Sequence, residues 1–407
     1  MKCRHCKASL NQQFLDLGFA PPSNAYLNTE DLNRPEKYYP LRVLVCKDCW
    51  LVQTEDYAEA YELFKSDYAY FSSTSSGWLA HANRYAQEMT DLLSLNKDSF
   101  VIEVASNDGY LLRNFVGAGI PCLGIEPTAS TAATAEALGI PVLREFFGEV
   151  LGRGLASRGI QADLIVGNNV YAHVPDVNDF TWGLAAALKP GGTITLEFPH
   201  VMRLIQEAQF DTVYHEHFSY FSLFTVVRIF RECGLRVYDV VELPTHGGSL
   251  RVFGCHGGDG RDENDRVKML LANEAQSGLQ SAAVYEGFQA IANEVKDNLL
   301  QFLIAEKGRG KKVVGYGAAA KGNTLLNYAG VKPDLLSYIC DAAPSKQGKF
   351  MPGSHIPIVT PSALSKGRAD AVLILPWNIA SEVKLQLSQF KEDGGAFITA
   401  VPTLEIR

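Results

Sequence analysis

The densest run of reactive side chains in the sequence is Tyr214-His215-Glu216-His217-Phe218. An imidazole titrates near neutrality and is the commonest general base; an adjacent carboxylate can orient it or hold a substrate hydroxyl. Burying that many polar groups together is costly without a task. The spacing is not HExxH, so a zinc-protease helix is not indicated. Taken alone, the run reads equally well as a polar surface turn. His173, in Asn169-Val-Tyr-Ala-His173, gains weight from following an expected strand end, where open α/β sheets bind ligands. Tyr68 and Tyr70, in Asp67-Tyr-Ala-Tyr-Phe-Ser-Ser, read as site residues or as aromatic packing.

Cys3-x2-Cys6 and Cys46-x2-Cys49 offer four thiolates on two tight turns, as a tetrahedral structural zinc requires. A closed shell of four sulfurs stabilises and does not catalyse. His5, inside the first pair, is the competing ligand. Redox or coincidental cysteines are the alternative.

Two segments have the form strand, small-residue loop, helix. In the first, Val101-Ile-Glu103-Val-Ala105-Ser106-Asn107-Asp108-Gly109, the loop exposes backbone N–H groups to a ligand. Some twenty residues on, Leu123-Gly-Ile-Glu126-Pro127 ends a strand with a carboxylate able to take both hydroxyls of a ribose. Asp108 is unwelcome beside a pyrophosphate but suits the ammonium group of S-adenosylmethionine. Asn168 and Asn169 fall where the methyl-bearing sulfur would lie, and Phe146 and Phe147 are candidate adenine walls or plain core. In the second segment, Gly315-Tyr-Gly317-Ala-Ala-Ala320-Lys321-Gly322-Asn323, the pattern satisfies GxGxxA. It predicts a diphosphate cradle at a helix N-terminus, with Lys321 adding charge. The diphosphate is that of NAD or of a nucleotide sugar; close helix–strand packing without a ligand is the plainer reading.

The elements that position these groups follow from periodicity. Expected strands at Phe100–Val104, Cys122–Ile125, Leu164–Val166 and Thr193–Phe198 give a parallel sheet. Lys189-Pro-Gly-Gly192 reads as a turn. Leu79, Ala82, Tyr85, Ala86, Met89, Leu92 and Leu93 share one face of a helix. A hairpin is expected at Val237–Leu243 and Leu250–Cys255, then a long helix or helix pair over Asp265–Lys307 with breaks at Gly278 or Gly287. A second α/β unit has strands near Leu336–Cys340, Ala371–Leu375 and Ala396–Val401. The fold class is therefore α/β: a zinc-binding module (1–65), a central Rossmann-like domain with a helical and hairpin extension (66–305), and a C-terminal Rossmann-like domain (306–407).

The 407 residues are 47% hydrophobic and 20% charged, as in a globular protein able to bury a sizeable core. The formal charge of −8 argues against a general nucleic-acid binder, whose affinity needs clustered Lys and Arg. No signal peptide and no membrane span are read, so the expected location is cytoplasmic, and the expected state is a monomer.

Taken in order, the cysteine pairs, Glu103-x2-Ser-Asn-Asp-Gly109, Tyr214-His-Glu-His217, His246-Gly-Gly-Ser249-x-Arg251 and Gly315-Tyr-Gly-Ala-Ala-Ala-Lys-Gly322 resemble the zinc-containing sugar C-methyltransferases over nearly the whole chain. The resemblance implies S-adenosylmethionine as cofactor, a structural Zn²⁺, and a nucleotide-diphosphate-linked 4-keto-deoxysugar as substrate, methylated through an enolate at carbon 3 in preference to carbon 5, a choice that pocket shape decides. His217 looks like the base, with Tyr214, Glu216, His173 and Tyr68 lining the site. His173 and Tyr68 are the expected hydrogen-bond donors to sugar or enolate. Tyr70 (the rival of Tyr68), His200, Gly317, Lys321 and Asn323 are expected on the substrate, and His246–Arg251 on sugar or phosphate unless the stretch is a structural hairpin. Three other readings remain: a nicotinamide-dependent oxidoreductase using Gly315–Ala320, an RNA methyltransferase, and a sugar-nucleotide binding module.

Overall fold

A computed structural model describes residues 1–57, 71–367 and 369–407. They form three sheets. The largest has seven strands in the spatial order Leu235–Leu243, Ser249–His256, Leu188–Pro199, Ala162–Asn168, Val101–Val104, Cys122–Ile125, Val142–Leu143. Pairings from Leu188–Pro199 to Val142–Leu143 are parallel, and Ser249–His256 runs antiparallel to both its neighbours. The strand order reverses at Val101–Val104, whose sequence successor lies on one side and Ala162–Asn168 on the other. A crevice opens at the carboxyl end of a strand at such a reversal, and ligands bind there. Helices on both faces bury the central strands; Val101–Val104 is buried at every position, Glu103 included.

A second sheet repeats the arrangement: Ile358–Val359, Ile339–Cys340, Val313–Tyr316, Ala371–Ile374, Ala396–Thr399, Glu405–Ile406. Its reversal is at Val313–Tyr316, whose carboxyl end carries the Gly315–Gly317 turn and the helix Ala320–Tyr328.

The third sheet is antiparallel: Gln12–Ala20, Tyr39–Val45, Val52–Thr54 and Ser219–Tyr220. Its last strand is contributed by the chain just after Tyr214–Phe218. The cysteine-bearing module is thus completed by the segment that carries the histidine cluster. Phe14 stacks on Phe288 (4.7 Å between centroids), joining this sheet to the helix Phe288–Gly308.

Where sequence pattern and structure differ, local geometry gives the reason. The helix Ser76–Leu92 is capped by Ser75, whose hydroxyl accepts from Trp78 N–H, and it buries Ala82, Tyr85, Ala86 and Met89. Leu92 is 60% exposed because the helix ends there; the chain turns through Ser94 (φ 53°), and Leu95 takes the buried place. Lys189–Gly192 is looped out within one continuous strand, since Ala162 faces Leu188 and Leu164 faces Thr193. The Asp265–Lys307 stretch breaks at both glycines, into Asp265–Gln276, Ala283–Glu286 and Phe288–Gly308. Gly278 (φ 82°) ends the first in a Schellman turn, with Leu279 N–H on Glu274 O and Gly278 N–H on Ala275 O. No helix among the described residues is long and apolar enough to cross a membrane.

The four cysteine sulfurs lie within 4.8 Å of one another. Cys3–Cys49 and Cys6–Cys46 are each 3.5 Å apart. A disulfide needs about 2.05 Å, whereas ligands at about 2.3 Å from a tetrahedral zinc sit about 3.8 Å apart. The set therefore fits zinc. The two turns are built alike: Lys7 N–H donates to Cys3 O and Trp50 N–H to Cys46 O, with Lys7 and Trp50 at φ 62° and 61°. The His5 ring is not a fifth candidate, because its Nδ1 pairs with Asn178 Oδ1 at 2.8 Å, on the central domain. We expect Cys46→Ser to drop zinc from one per chain to near none in elemental analysis. Its urea midpoint should fall by on the order of 4 kcal/mol of stability, because binding energy at such a site is folding energy.

Candidate functional site

His217 follows the short 3-10 turn Phe210–Thr212, and His173 ends the turn Tyr171–His173 beyond the strand Ala162–Asn168. Their rings meet edge-on at 4.7 Å. His217 Nδ1 lies 3.1 Å from Thr212 O, and His173 Nδ1 lies 2.8 Å from Glu216 O. A carbonyl oxygen only accepts, so each Nδ1 carries the proton and each Nε2 holds a lone pair. Burial, reinforced by the nearby His173, His246 and Lys321, holds His217 well below the usual imidazole range; the Thr212 carbonyl opposes this without reversing it. Burial brings His173 to about 4 as well. Both rings are thus neutral at pH 7. His173, expected as a hydrogen-bond donor to a sugar, is built as an acceptor at Nε2.

Tyr214 packs on His217 at 4.0 Å between centroids. Glu216 points elsewhere, with both carboxylate oxygens 2.9 Å from Asn24 Nδ2. His215 turns away to Tyr39 O at 3.3 Å. The run is a buried hinge whose side chains divide between the cluster and the first sheet. Tyr68 and Tyr70 lie outside the described residues.

The second crevice meets the first here. Thr324 Oγ1 donates to Val213 O at 2.9 Å, seating the helix Ala320–Tyr328 on the segment before His217. Lys321, in the first turn, donates to Asn378 Oδ1 at 2.7 Å and lies 4.4 Å over the Trp377 ring. Trp377 Nε1 donates to Asp211 Oδ2 at 2.7 Å. Burial lowers Lys321 and raises Asp211 to about 6, and each charge favours the other's ionisation. Asn323 is buried, with neither amide atom hydrogen-bonded among the described residues. Gly317 (φ 84°) lies where a Cβ would come 2.5 Å from Pro376 Cδ. His200 donates from Nε2 to Glu274 at 2.7 Å. It lines a cleft of about 480 Å³ with Arg203, Gly247, Trp377 and Asn378.

His246 adds a third imidazole. It sits at φ 55° in a turn with Gly247 and Gly248, 5.3 Å from Trp78, and its Nε2 is buried without a partner. A Cβ at Gly247 would come 2.5 Å from Trp377, so the turn is wedged between the two sheets' crevices.

At the first reversal, Ala105, Asn107 and Gly109 have φ of 57°, 50° and 78°. The tight loop brings Asn107 N–H to Glu126 Oε2 at 3.0 Å, and Thr128 N–H reaches Glu126 Oε1 at 2.9 Å. The Glu126 side chain is thereby held in place by two backbone N–H groups. A Cβ at Gly109 would meet Ile140 Cδ1 at 2.5 Å. Glu103 Oε2, Ser106 Oγ, Asp108 Oδ1 and both amide atoms of Asn168 are buried and have no hydrogen-bond partner among the described residues. Burial, with the Asp108 and Glu126 charges beside it, pushes Glu103 well above the carboxylate range. Asn169 (φ 54°) continues this pocket, and Pro127 follows Glu126 at its rim. Phe146 is 59% exposed, while Phe147 packs edge-on against Phe180.

Asp211, Trp377 and Asn378 were not singled out from sequence. The signal available was position: Pro376–Asn378 follows the carboxyl end of Ala371–Ile374, where the reversal rule looks for ligands. Asp341, just after the strand Ile339–Cys340, accepts Ala318 N–H and Ala343 N–H at 2.7 Å each. Tyr26 and Lys346 both donate to Ala318 O, covering that loop.

Three family models match the chain in series: "Putative zinc binding domain" over 3–64, "Methyltransferase domain" over 78–240, and "C-methyltransferase C-terminal domain" over 244–402. The C-methyltransferase NovU of Streptomyces niveus is 32% identical over 401 residues, 98% of this chain and 95% of its own. Among solved structures, magnesium protoporphyrin IX methyltransferase from Synechocystis, with bound S-adenosylmethionine, is 13% identical and covers 44% of this chain and 81% of its own, at a TM-score of 0.33. The glycopeptide N-methyltransferase MtfA, complexed with S-adenosylmethionine, is 13% identical and covers 43% of this chain and 94% of its own, at 0.34. Overlaps that small add nothing to the assignment. The full-length relative and the three models in series leave the oxidoreductase reading without support. The chain belongs to the zinc-binding, S-adenosylmethionine-dependent C-methyltransferases.

Proposed function

We propose that the methyl acceptor is the carbon beside the ketone, carbon 3, of a nucleoside-diphosphate-linked 4-keto-deoxysugar, activated as an enolate by His217. The observation that carries this reading is a neutral buried imidazole, with its lone pair on Nε2, in the same crevice as the buried cation of Lys321. A base and a nearby positive charge are what enolate formation requires, since the α-proton of a ketone is acidic only when the developing oxyanion is stabilised.

When bound, S-adenosylmethionine supplies an electrophilic methyl group on a sulfonium. Glu126 would hold the ribose hydroxyls, and Glu103 and Asp108 would receive the ammonium group that their unpaired oxygens lack. The backbone of Ala105–Gly109 would support the methionine end, Pro127 and Phe146 the adenine, and Asn168 and Asn169 the region of the sulfonium. Gly317, Lys321, Asn323 and His200 would receive the nucleotide sugar, together with Tyr70; Tyr68 would complete the sugar site. His217 Nε2 takes the proton from carbon 3, and the C–H electron pair is delocalised onto the ketone oxygen. The carbanion then forms the new C–C bond as the S–CH3 bond breaks, and sulfur keeps that pair. His173 Nε2 would accept from a sugar hydroxyl, Tyr214 would wall the base, and Glu216 would hold Asn24 and the hinge in place.

Purified protein incubated in D2O with a thymidine-diphosphate-linked 4-keto-6-deoxyhexose, without methyl donor, should exchange the carbon-3 hydrogen by NMR. His217→Ala should slow exchange and methyl transfer about 10²- to 10⁴-fold with S-adenosylmethionine affinity unchanged; undiminished exchange would remove His217 as the base. Because the folded pKa of His217 is depressed, the base is already deprotonated at its ordinary value of 6.5. The profile of kcat/KM should be flat from pH 8 to 6.5 and fall only below that. Glu126→Ala should weaken S-adenosylmethionine binding in calorimetry by about 10- to 100-fold, the worth of hydrogen bonds to a charged group. Equal affinity would reject the ribose role.

A further inference from the structure

Arg4 sits between the first two zinc cysteines, in Cys3-Arg-His-Cys6, yet among the described residues its side-chain hydrogen bonds run to Thr54, Asp56, Pro175 and Phe218 and not to a cysteine. The side chain is buried, 6% exposed as a residue. Its guanidinium donates from Nη1 to Pro175 O at 3.1 Å, from Nε to Phe218 O at 3.2 Å, and from Nη2 to Thr54 O at 3.0 Å. It lies 4.9 Å over the Phe218 ring and pairs with Asp56. Pro175 is two residues from His173, and Phe218 is next to His217. One rigid fork therefore grips the two separate segments that carry the paired imidazoles.

The surrounding bonds extend the same clamp. Phe218 N–H donates to Ala172 O at 2.8 Å, and Thr54 Oγ1 donates to His217 O at 3.2 Å. On the metal side, Arg4 N–H donates to Gln53 Oε1 at 2.9 Å, and Gln53 Nε2 reaches Cys3 Sγ at 3.3 Å. The sulfur shell, Gln53, Arg4 and the two histidine segments form one continuous set of contacts. Nothing in a purely stabilising zinc module requires its inserted residue to be a buried cation aimed at these carbonyls.

We propose that Arg4 is a positioning residue for the reaction: the zinc turn sets the separation and orientation of His173 and His217 through its guanidinium. This rests on the reading of His217 as the base. A buried arginine satisfied by three carbonyls from three segments fixes their relative placement as no lysine can, because its donors are held in a plane. A misplacement near 1 Å at a reacting group costs on the order of 100-fold in rate.

The test compares Arg4→Met and Arg4→Lys with the parent protein, on the same thymidine-diphosphate 4-ketosugar and S-adenosylmethionine. Arg4→Met is expected to keep one zinc per chain and unchanged S-adenosylmethionine affinity, while kcat falls about 10- to 100-fold with KM nearly constant. Arg4→Lys, which keeps the charge and reaches fewer carbonyls, should recover part of kcat. A second readout needs no substrate: the rate of diethyl pyrocarbonate modification at each histidine, followed by peptide mass spectrometry. Modification at His217 and His173 should rise in Arg4→Met and stay constant at His355, which is remote from the clamp. Unchanged kcat, or losses in both variants that track zinc loss one for one, would overturn the proposal. If neither variant turns over any ketosugar because the substrate reading is wrong, the histidine labelling still decides: altered protection supports the clamp and unaltered protection overturns it.

Discussion

Two imidazoles whose rings meet at 4.7 Å cannot both be protonated in a buried site, and the structure is arranged so that neither is. Desolvation supplies the driving force, and each Nδ1–H is committed to a backbone carbonyl, which fixes the tautomer as well as the charge. The cost is that both rings depend on backbone elements belonging to different parts of the chain. Thr212 O and Glu216 O lie on the irregular segment between the central sheet and the strand Ser219–Tyr220. That segment has no helix or ladder to hold it over Val213–Phe218. It is held from outside, by Thr324 of the C-terminal helix on one side and by Thr54 and Arg4 on the other. A neutral histidine pair therefore requires all three sheets to be assembled.

This dependence explains why two Rossmann-like sheets occur in one chain. Each has one strand at which the order reverses, and each reversal offers a crevice at a carboxyl end. The first crevice is lined by unpaired acceptors, the second by a lysine, an unpaired amide and a helix N-terminus. Their charged and polar linings differ, which agrees with the proposal that one takes the ammonium end of the methyl donor and the other the diphosphate of the acceptor. The His246 turn and Trp377 wedge between them.

Much of this was legible in the sequence where chemistry and regular structure coincide. The two cysteine pairs predicted a four-sulfur cluster, and the Val101–Gly109 and Gly315–Asn323 segments predicted strand–loop–helix crevices, because those patterns encode backbone geometry directly. Strand positions in the parallel sheet followed from apolar runs, since strands covered on both faces have no other composition available. What was not legible depends on long-range contact. His173 was expected as a donor, and only the position of Glu216 O makes it an acceptor. Leu92 fits the helical period but is the last residue of its helix, and Leu95, beyond the turn at Ser94, takes the buried place. Arg4, Asp211 and Trp377 have no local pattern, since their partners are 50 to 214 residues away. The direction of each side chain in Tyr214–His217 likewise depends on what lies outside the run.

A base with a depressed pKa is a weak base, which at first seems ill suited to a ketone α-proton. The same features that depress it also compensate. Lys321 contributes to the lowering of His217, and its charge lies in the crevice where an enolate oxygen would develop. A positive charge near both the base and the oxyanion weakens the first and stabilises the second. In the proposed step the enolate oxygen gains its negative charge as the base gains a proton, so attraction to Lys321 offsets the weakening of the base. Once His217 accepts the proton, its own positive charge adds to the stabilisation of the enolate. Asp211 limits how far the arrangement can go. Raised to about 6 by burial and linked to Lys321 through Trp377, its charge works against the lowering that burial imposes on the lysine. Removing that carboxylate would shift the balance toward a neutral lysine, and the crevice would lose the charge that makes a weak base sufficient.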